Sequence, residues 1–146
     1  VKITVSPIVA GSPNTWGTAI VLASGAGQYP EGLSLDGKHV IDVVQPIGAS
    51  FIDLFDRGGR SHTIAFRVPF EHADIETSQE KLLNLSATLP GKGLLRFYCD
   101  PAALSTMSYC AIAGLPTFRL VQEGVRTLLQ FSFICGAVLT EDPAAP

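Results

Sequence analysis

Ser61-His62-Thr63-Ile64-Ala65-Phe66-Arg67-Val68-Pro69-Phe70 is the stretch on which the fold turns. Ile64, Phe66, Val68 and Phe70 recur at every second position, with Thr63, Ala65 and Arg67 between them. Alternate side chains of a strand point to opposite faces, so this period predicts a half-buried β-strand with one face on a core. Pro69 has no amide hydrogen to give a ladder, which predicts a sheet edge near that end. Residues 125–135 repeat the pattern through Thr127, Leu129, Phe131, Phe133 and Cys135. The Ile64, Phe66 and Val68 face and the Leu129, Phe131 and Phe133 face are therefore expected to form the core together.

Upstream, Asp56-Arg57-Gly58-Gly59-Arg60 separates this strand from the apolar residues 49–55 and reads as a hairpin tip. Asp36-Gly37 lies between residues 33–35 and 39–45, and Asp-Gly between apolar runs predicts a two-residue hairpin turn. Residues 2–6 and 16–23 are strand candidates, separated by the turn cluster Gly11, Ser12, Pro13 and Asn14. A loop is expected at Ser24-Gly25-Ala26-Gly27. Downstream, one helix is expected over residues 74–89. Thr77-x-x-Glu80 is a capping-box pattern, Asp74 is an alternative cap, and Pro90-Gly91 is a stop. Ile75, Leu82 and Leu85 are its expected packing face, with Leu89 extending the stripe. Strand candidates follow at 94–99, 105–113 and 117–122, the last two split by Gly114-Leu115-Pro116, and Glu123-Gly124 predicts a tight turn. About eight or nine strands with one helix predict a mainly β fold, an antiparallel β-sandwich or barrel with one central α-helix packed against it. Residues 1–139 are expected to form a single β-rich domain, and residues 140–146 a flexible C-terminal tail.

Composition narrows the function. The chain of 146 residues is 47% hydrophobic and only 16% charged, which argues against disorder and suits a surface hidden against neighbours. Ten basic and 13 acidic side chains give a net charge of −3, and the basic residues are scattered. No run of Lys or Arg matches a phosphate backbone, so no nucleic-acid binding is expected. The apolar run at 128–139 is broken by Gln130, Ser132 and Gly136 and is shorter than the ~20 residues of a membrane-spanning helix. No basic segment followed by an apolar one marks a signal peptide at the amino terminus. Cys99, Cys110 and Cys135 are too few and too dispersed for a disulfide framework. Cys110 and Cys135 lie in apolar runs as small hydrophobes, which fits a reducing compartment such as the cytoplasm.

Each pattern that suggests chemistry fails in spacing or context. Gly32-x-x-x-x-Gly37-Lys38 resembles a phosphate-binding loop, but His39 replaces the required Ser or Thr and a β-branched run follows where a helix is needed. Gly25-Ala26-Gly27 lacks the third glycine and the helix of a dinucleotide loop. His39, His62 and His72 are isolated, so no metal site and no cofactor are expected. Ser61 and His62 are strand neighbours and point to opposite faces, which is wrong for a nucleophile and its base. Gly32-Leu33-Ser34 lacks the closing glycine of a nucleophile elbow. No catalytic residue is assigned. The densest charged group is Asp53, Asp56, Arg57 and Arg60. Of these, Asp56, Arg57 and Arg60 are the candidate subunit interface, because Arg is favoured where charged groups meet across a seam. Trp16 is a core residue or an interface anchor.

Several strings together resemble small tail proteins of phages and prophages, of the tail-tube, distal-tail or baseplate kind. They are Phe51-Ile52-Asp53-Leu54-Phe55-Asp56-Arg57-Gly58-Gly59, Thr63-Ile64-Ala65-Phe66-Arg67-Val68, the helix ending in Leu89-Pro90-Gly91, and Gln122-Glu123-Gly124-Val125. The similarity spans residues 49–135. It implies a β-sandwich or barrel with a flanking helix. It also implies homo-oligomeric rings, usually sixfold, other tail or baseplate proteins as partners, and a place in the virion tail after synthesis in the host cytoplasm. It implies no catalytic residue. The long extended loop that tail-tube subunits pass to their neighbours has no recognisable counterpart. The competing expectation is a monomeric ligand-binding β domain for a carbohydrate or lipid, whose sign would be aromatics clustered in loops. Tyr29, Tyr98 and Tyr109 are instead scattered.

Overall fold

The computed structural model describes residues 2–9, 15–24, 29–48, 50–100 and 107–139, with the backbone alone at 57, 59 and 60. The expected turn cluster at 11–14, the glycine loop at 25–27 and the tail at 140–146 lie outside them. The described chain is mainly β: β1 (Lys2–Pro7), β2 (Ile20–Ser24), β3 (Glu31–Val44), β4 (Asp53–Glu71), the helix α1 (Ile75–Thr88), β5 (Lys92–Tyr98), β6 (Tyr109–Glu123) and β7 (Arg126–Val138). All seven strands belong to one antiparallel sheet in the order β2-β1-β5-β6-β7-β4-β3.

The expected core is present. Ile64, Phe66 and Val68 of β4 and Leu129, Phe131 and Phe133 of β7 are all buried, joined by Ile3, Val5, Leu22, Leu95 and Phe97. The Phe66 ring lies 5.5 Å from Phe131, 6.0 Å from Phe133 and 5.7 Å from Phe97. Phe97 is on β5, three strands from β4, a separation of about 14 Å in a flat sheet. The ring contact therefore requires the sheet to curl strongly around its apolar face. The curl leaves an open barrel, since the outermost strands β2 and β3 do not pair with each other.

Helix α1 packs against the sheet through Leu85, with Leu89 just beyond it on the core. Its N-cap is Asp74, whose Oδ1 accepts the Thr77 amide at 2.7 Å, so Thr77 is not the cap. Ile75, an expected packing residue, is 48% exposed: it sits in the first turn, at the helix end away from Leu85 and Leu89. The hydrogen bonds from Thr77 hold the Asp74 carboxyl below its ordinary pKa. A depressed carboxyl contributes stability above its unfolded pKa and loses it as pH falls through the folded value. The wild type is thus expected to lose more thermal stability than Asp74→Asn on acidification below the ordinary carboxylate range. Parallel melting curves of the two proteins would check this.

Three expected breaks are instead absorbed within strands, and the described residues form seven strands where about eight or nine were expected. Asp36-Gly37 is not a turn: both residues lie inside β3, paired with Thr63 and His62, and Gly37 does not have a positive φ. Turning there would strip the partner strand from the outer edge of β4, so the long ladder overrides the local signal. Asp56-Arg57-Gly58-Gly59-Arg60 is not a hairpin tip either. His39 pairs with Arg60 and Ile41 with Asp56, so residues 57–59 bulge out of β4 opposite Val40. Gly58, with φ +76°, makes the bulge possible. The last β3–β4 pair is Val44–Asp53, so the chain reverses after residue 44 and before residue 53 rather than at 56–60. Gly114-Leu115-Pro116 likewise stays within β6 as an irregularity. Leu115 is buried there and donates its amide to the Gly91 carbonyl at 2.8 Å. Glu123-Gly124 does turn the chain as expected, with Gly124 at φ +59° ahead of Val125. Pro69 lies beyond the last β3 pair, Glu31–Arg67, where β4 is locally an edge.

Candidate subunit interface

β4 is anchored to β7 over ten consecutive pairs, from His62–Cys135 to Glu71–Arg126. Residues 53–61 of β4 run on past that anchorage and pair with β3 alone. Measured along the unbulged strand, residues 38–44 of β3, at about 3.3 Å per residue this two-stranded arm reaches roughly 23 Å from the sheet. A compact body of ~100 residues has a radius of gyration of only about 13 Å. The arm is therefore a projection on the scale of the body itself.

Its surface is unusual for an exposed ribbon. Ile41, Val43, Val44, Ile47, Phe51, Ile52, Leu54 and Phe55 are each 44% exposed or more, Ile47 completely. Register assigns them to faces: Ile41, Val43, Leu54 and Asp56 share one, and Asp42, Val44, Asp53 and Phe55 share the other. Both faces of the ribbon thus carry apolar side chains with no second layer over them. A lone two-stranded hairpin is marginal in water, and exposed apolar patches of this extent mark interaction surfaces. β3 is also the outermost strand of the sheet, so a 14-residue edge is open to pairing.

The residues assigned from sequence lie on this arm. Asp56 is exposed, and its Oδ1 accepts the Gly58 amide at 2.8 Å, which fixes the bulge. Arg57 and Arg60 belong to the backbone of β4 at the same bulge, and their side chains lie outside the description. They sit mid-arm rather than at its end. Asp53 faces Val44 at the end of the ladder.

Sequence reasoning missed what holds the base of the arm. His62, the last β4 residue paired to β7, meets the Tyr109 hydroxyl through Nε2, with the rings edge-to-face at 5.8 Å. Tyr109 also lies edge-on to Phe97 at 5.9 Å. Burial raises the Tyr109 hydroxyl pKa, and the neighbouring Cys135 raises it further. Burial likewise raises that of the Cys135 thiol, so both groups stay protonated near neutral pH. The cluster is a hydrogen-bonded clamp at the point where the arm leaves the sheet. Its partners are 47 residues apart, and no local pattern announces the contact.

No protein-family model matches the sequence, and no curated protein matches it. Among the described residues, no three His, Cys, Asp or Glu side chains gather as a metal site. No described helix is long and apolar enough to cross a membrane. Gly32, Gly37 and Lys38 lie along extended β3, so no helix amino terminus stands behind them to cradle phosphate. A groove of about 440 Å³ between α1 and the edge of β2 includes His72 and Lys81. Lys81 lies 4.5 Å over the Phe70 ring, and burial lowers its pKa. His72 stacks on the same ring and faces the Thr127 hydroxyl at 3.3 Å.

Proposed function

We propose that the protein is a structural subunit of a symmetric assembly of the phage-tail kind, joined to other copies through the β3–β4 arm. The observation that carries this reading is the arm itself: a long ribbon, apolar on both faces, anchored at one end only. Such a surface gains by burial at about 25 cal/mol per Å² when another chain covers it. The reach of the arm directs it to a neighbour. A contact repeated head-to-tail closes a ring when the rotation closes, which is how an arm-and-body subunit builds a symmetric object. The arm is also a candidate for the extended segment that tail-tube subunits pass to their neighbours, which the sequence alone did not reveal. On this reading the protein works by occupying a position and turns nothing over.

The mass in solution, measured by light scattering across a concentration series, tests the proposal. A discrete oligomer that grows in population with concentration is the expected result. A monomer at every concentration, with the arm still exposed to a soluble protease, contradicts it.

A further inference from the structure

The free edge of β3 carries its charges in a symmetric arrangement. From Ser34 to Val44 the strand itself is regular, and the irregularity near Val40 is the β4 bulge, on the side away from the free edge. Asp36 and Lys38 stand one residue either side of Gly37, and both are exposed. They share a face, because side chains two residues apart in a strand point the same way. On β4 they meet Thr63 and Ser61, which carry no charge, and neither has an ion-pair partner among the described residues. The opposite face carries Leu35, 63% exposed and paired with the buried Ile64, so that face continues the core side of the sheet. Gly37 also marks a boundary. It pairs with His62, the last β4 residue held by β7, so residues 31–36 lie on the supported body and residues 38–44 on the arm. Its φ is not positive and a Cβ there would meet nothing nearer than 4.0 Å, so nothing in its own chain demands glycine.

We propose that the free edge of β3 pairs antiparallel with the same edge of a second copy, about a two-fold axis at Gly37. The inference rests on the assembly reading above and names one of its contacts. The axis sets Asp36 opposite Lys38 of the second copy and Lys38 opposite its Asp36, so the contact gains two opposite-charge pairs on one face. On the other face it sets Leu33, 56% exposed, opposite Ile41, 48% exposed, and Leu35 opposite His39. Every pair joins residues of the same parity, so the outward-pointing amides of one edge meet those of the other. Moving the axis by one residue either way sets Asp36 against Asp36 or Lys38 against Lys38, and like charges directly opposed are destabilising. The same axis lays the arm half of each β3 along the body half of the other. Each ribbon, marginal alone, then extends a supported sheet. An axis at Val40 opposes Lys38 to Asp42 instead, but it pairs arm with arm and leaves the body edge open. A two-fold contact is isologous, and combined with a head-to-tail contact it closes an assembly of dihedral symmetry.

Asp36→Lys sets Lys against Lys in both pairs, and Lys38→Asp sets Asp against Asp. Each alone is expected to raise the dissociation constant at least ~10-fold at low ionic strength, read by sedimentation velocity, with circular dichroism unchanged. Mixing the two variants should recover the wild-type affinity in a one-to-one complex, because every pair then joins Lys to Asp. The double variant Asp36→Lys/Lys38→Asp should recover it in a single protein, and it decides the matter with the remaining single variant if one of the two does not fold. A wild-type oligomer unaffected by either single substitution overturns the edge pairing and leaves the assembly reading standing. Weakening by Lys38→Asp alone, with no recovery on mixing, overturns the axis at Gly37. A wild-type monomer at all concentrations overturns both readings.

Discussion

Phe66→Ala is expected to destabilise the protein by about 3–5 kcal/mol, measured by urea unfolding of the monomer. Phe66 is 1% exposed and touches three other aromatic rings, on β5 and β7. Truncation removes the transfer free energy of the ring and opens a cavity. The rings around that cavity are themselves fixed by strands in ladder register, so little collapse is available to relieve it. The loss is large against the 5–15 kcal/mol typical of a whole domain. Phe131→Ala should behave alike, since Phe131 pairs directly with Phe66 across the β4–β7 ladder. Near-neutral values for both would mean that the sheet does not curl around these rings.

The second large effect is on association. Val43 and Leu54 face each other across the arm, 65% and 67% exposed, and neither supports the core. Replacing both with Ser should change monomer stability by only about 0.5 kcal/mol or less, as exposed substitutions usually do. If they are the anchors of a subunit contact, each loss costs at least ~2 kcal/mol of binding, about 30-fold in affinity. The two together should abolish the oligomer at micromolar concentration while leaving a folded monomer. A substitution that unfolds the monomer would show that the arm packs on its own body.

The parts of this fold that were legible in the sequence are those where local period and burial agree. The alternation of Ile64, Phe66 and Val68 gave the core face of β4 because β7 and the curled sheet cover that face. Helix α1 was legible from Asp74 and Pro90, a cap and a stop that act within one turn. The arm was not. Val40, Ile41, Val43 and Val44 have the composition of any buried strand, and no local pattern records whether a second layer covers them. Asp36-Gly37 misled for a related reason: a turn dipeptide states a backbone preference, and the pairing of β3 along β4 outweighs it. The Gly58-Gly59 pair suggests a tip because glycines break strands, whereas one positive-φ glycine also makes a bulge. The His62–Tyr109 clamp depends on a separation that only the folded sheet closes.

The central claim is that the arm is covered by another copy, and hydrogen–deuterium exchange of the arm amides against concentration tests it most directly. The outer-edge amides of residues 31–44 and the amides of residues 53–61 should exchange rapidly in dilute protein, where the ribbon is alone. They should become protected as the oligomer forms, while the amides of β7 opposite Phe66 stay protected throughout. Arm exchange that remains fast at concentrations where an oligomer is present would contradict the account, because the copies would then be meeting through some other surface.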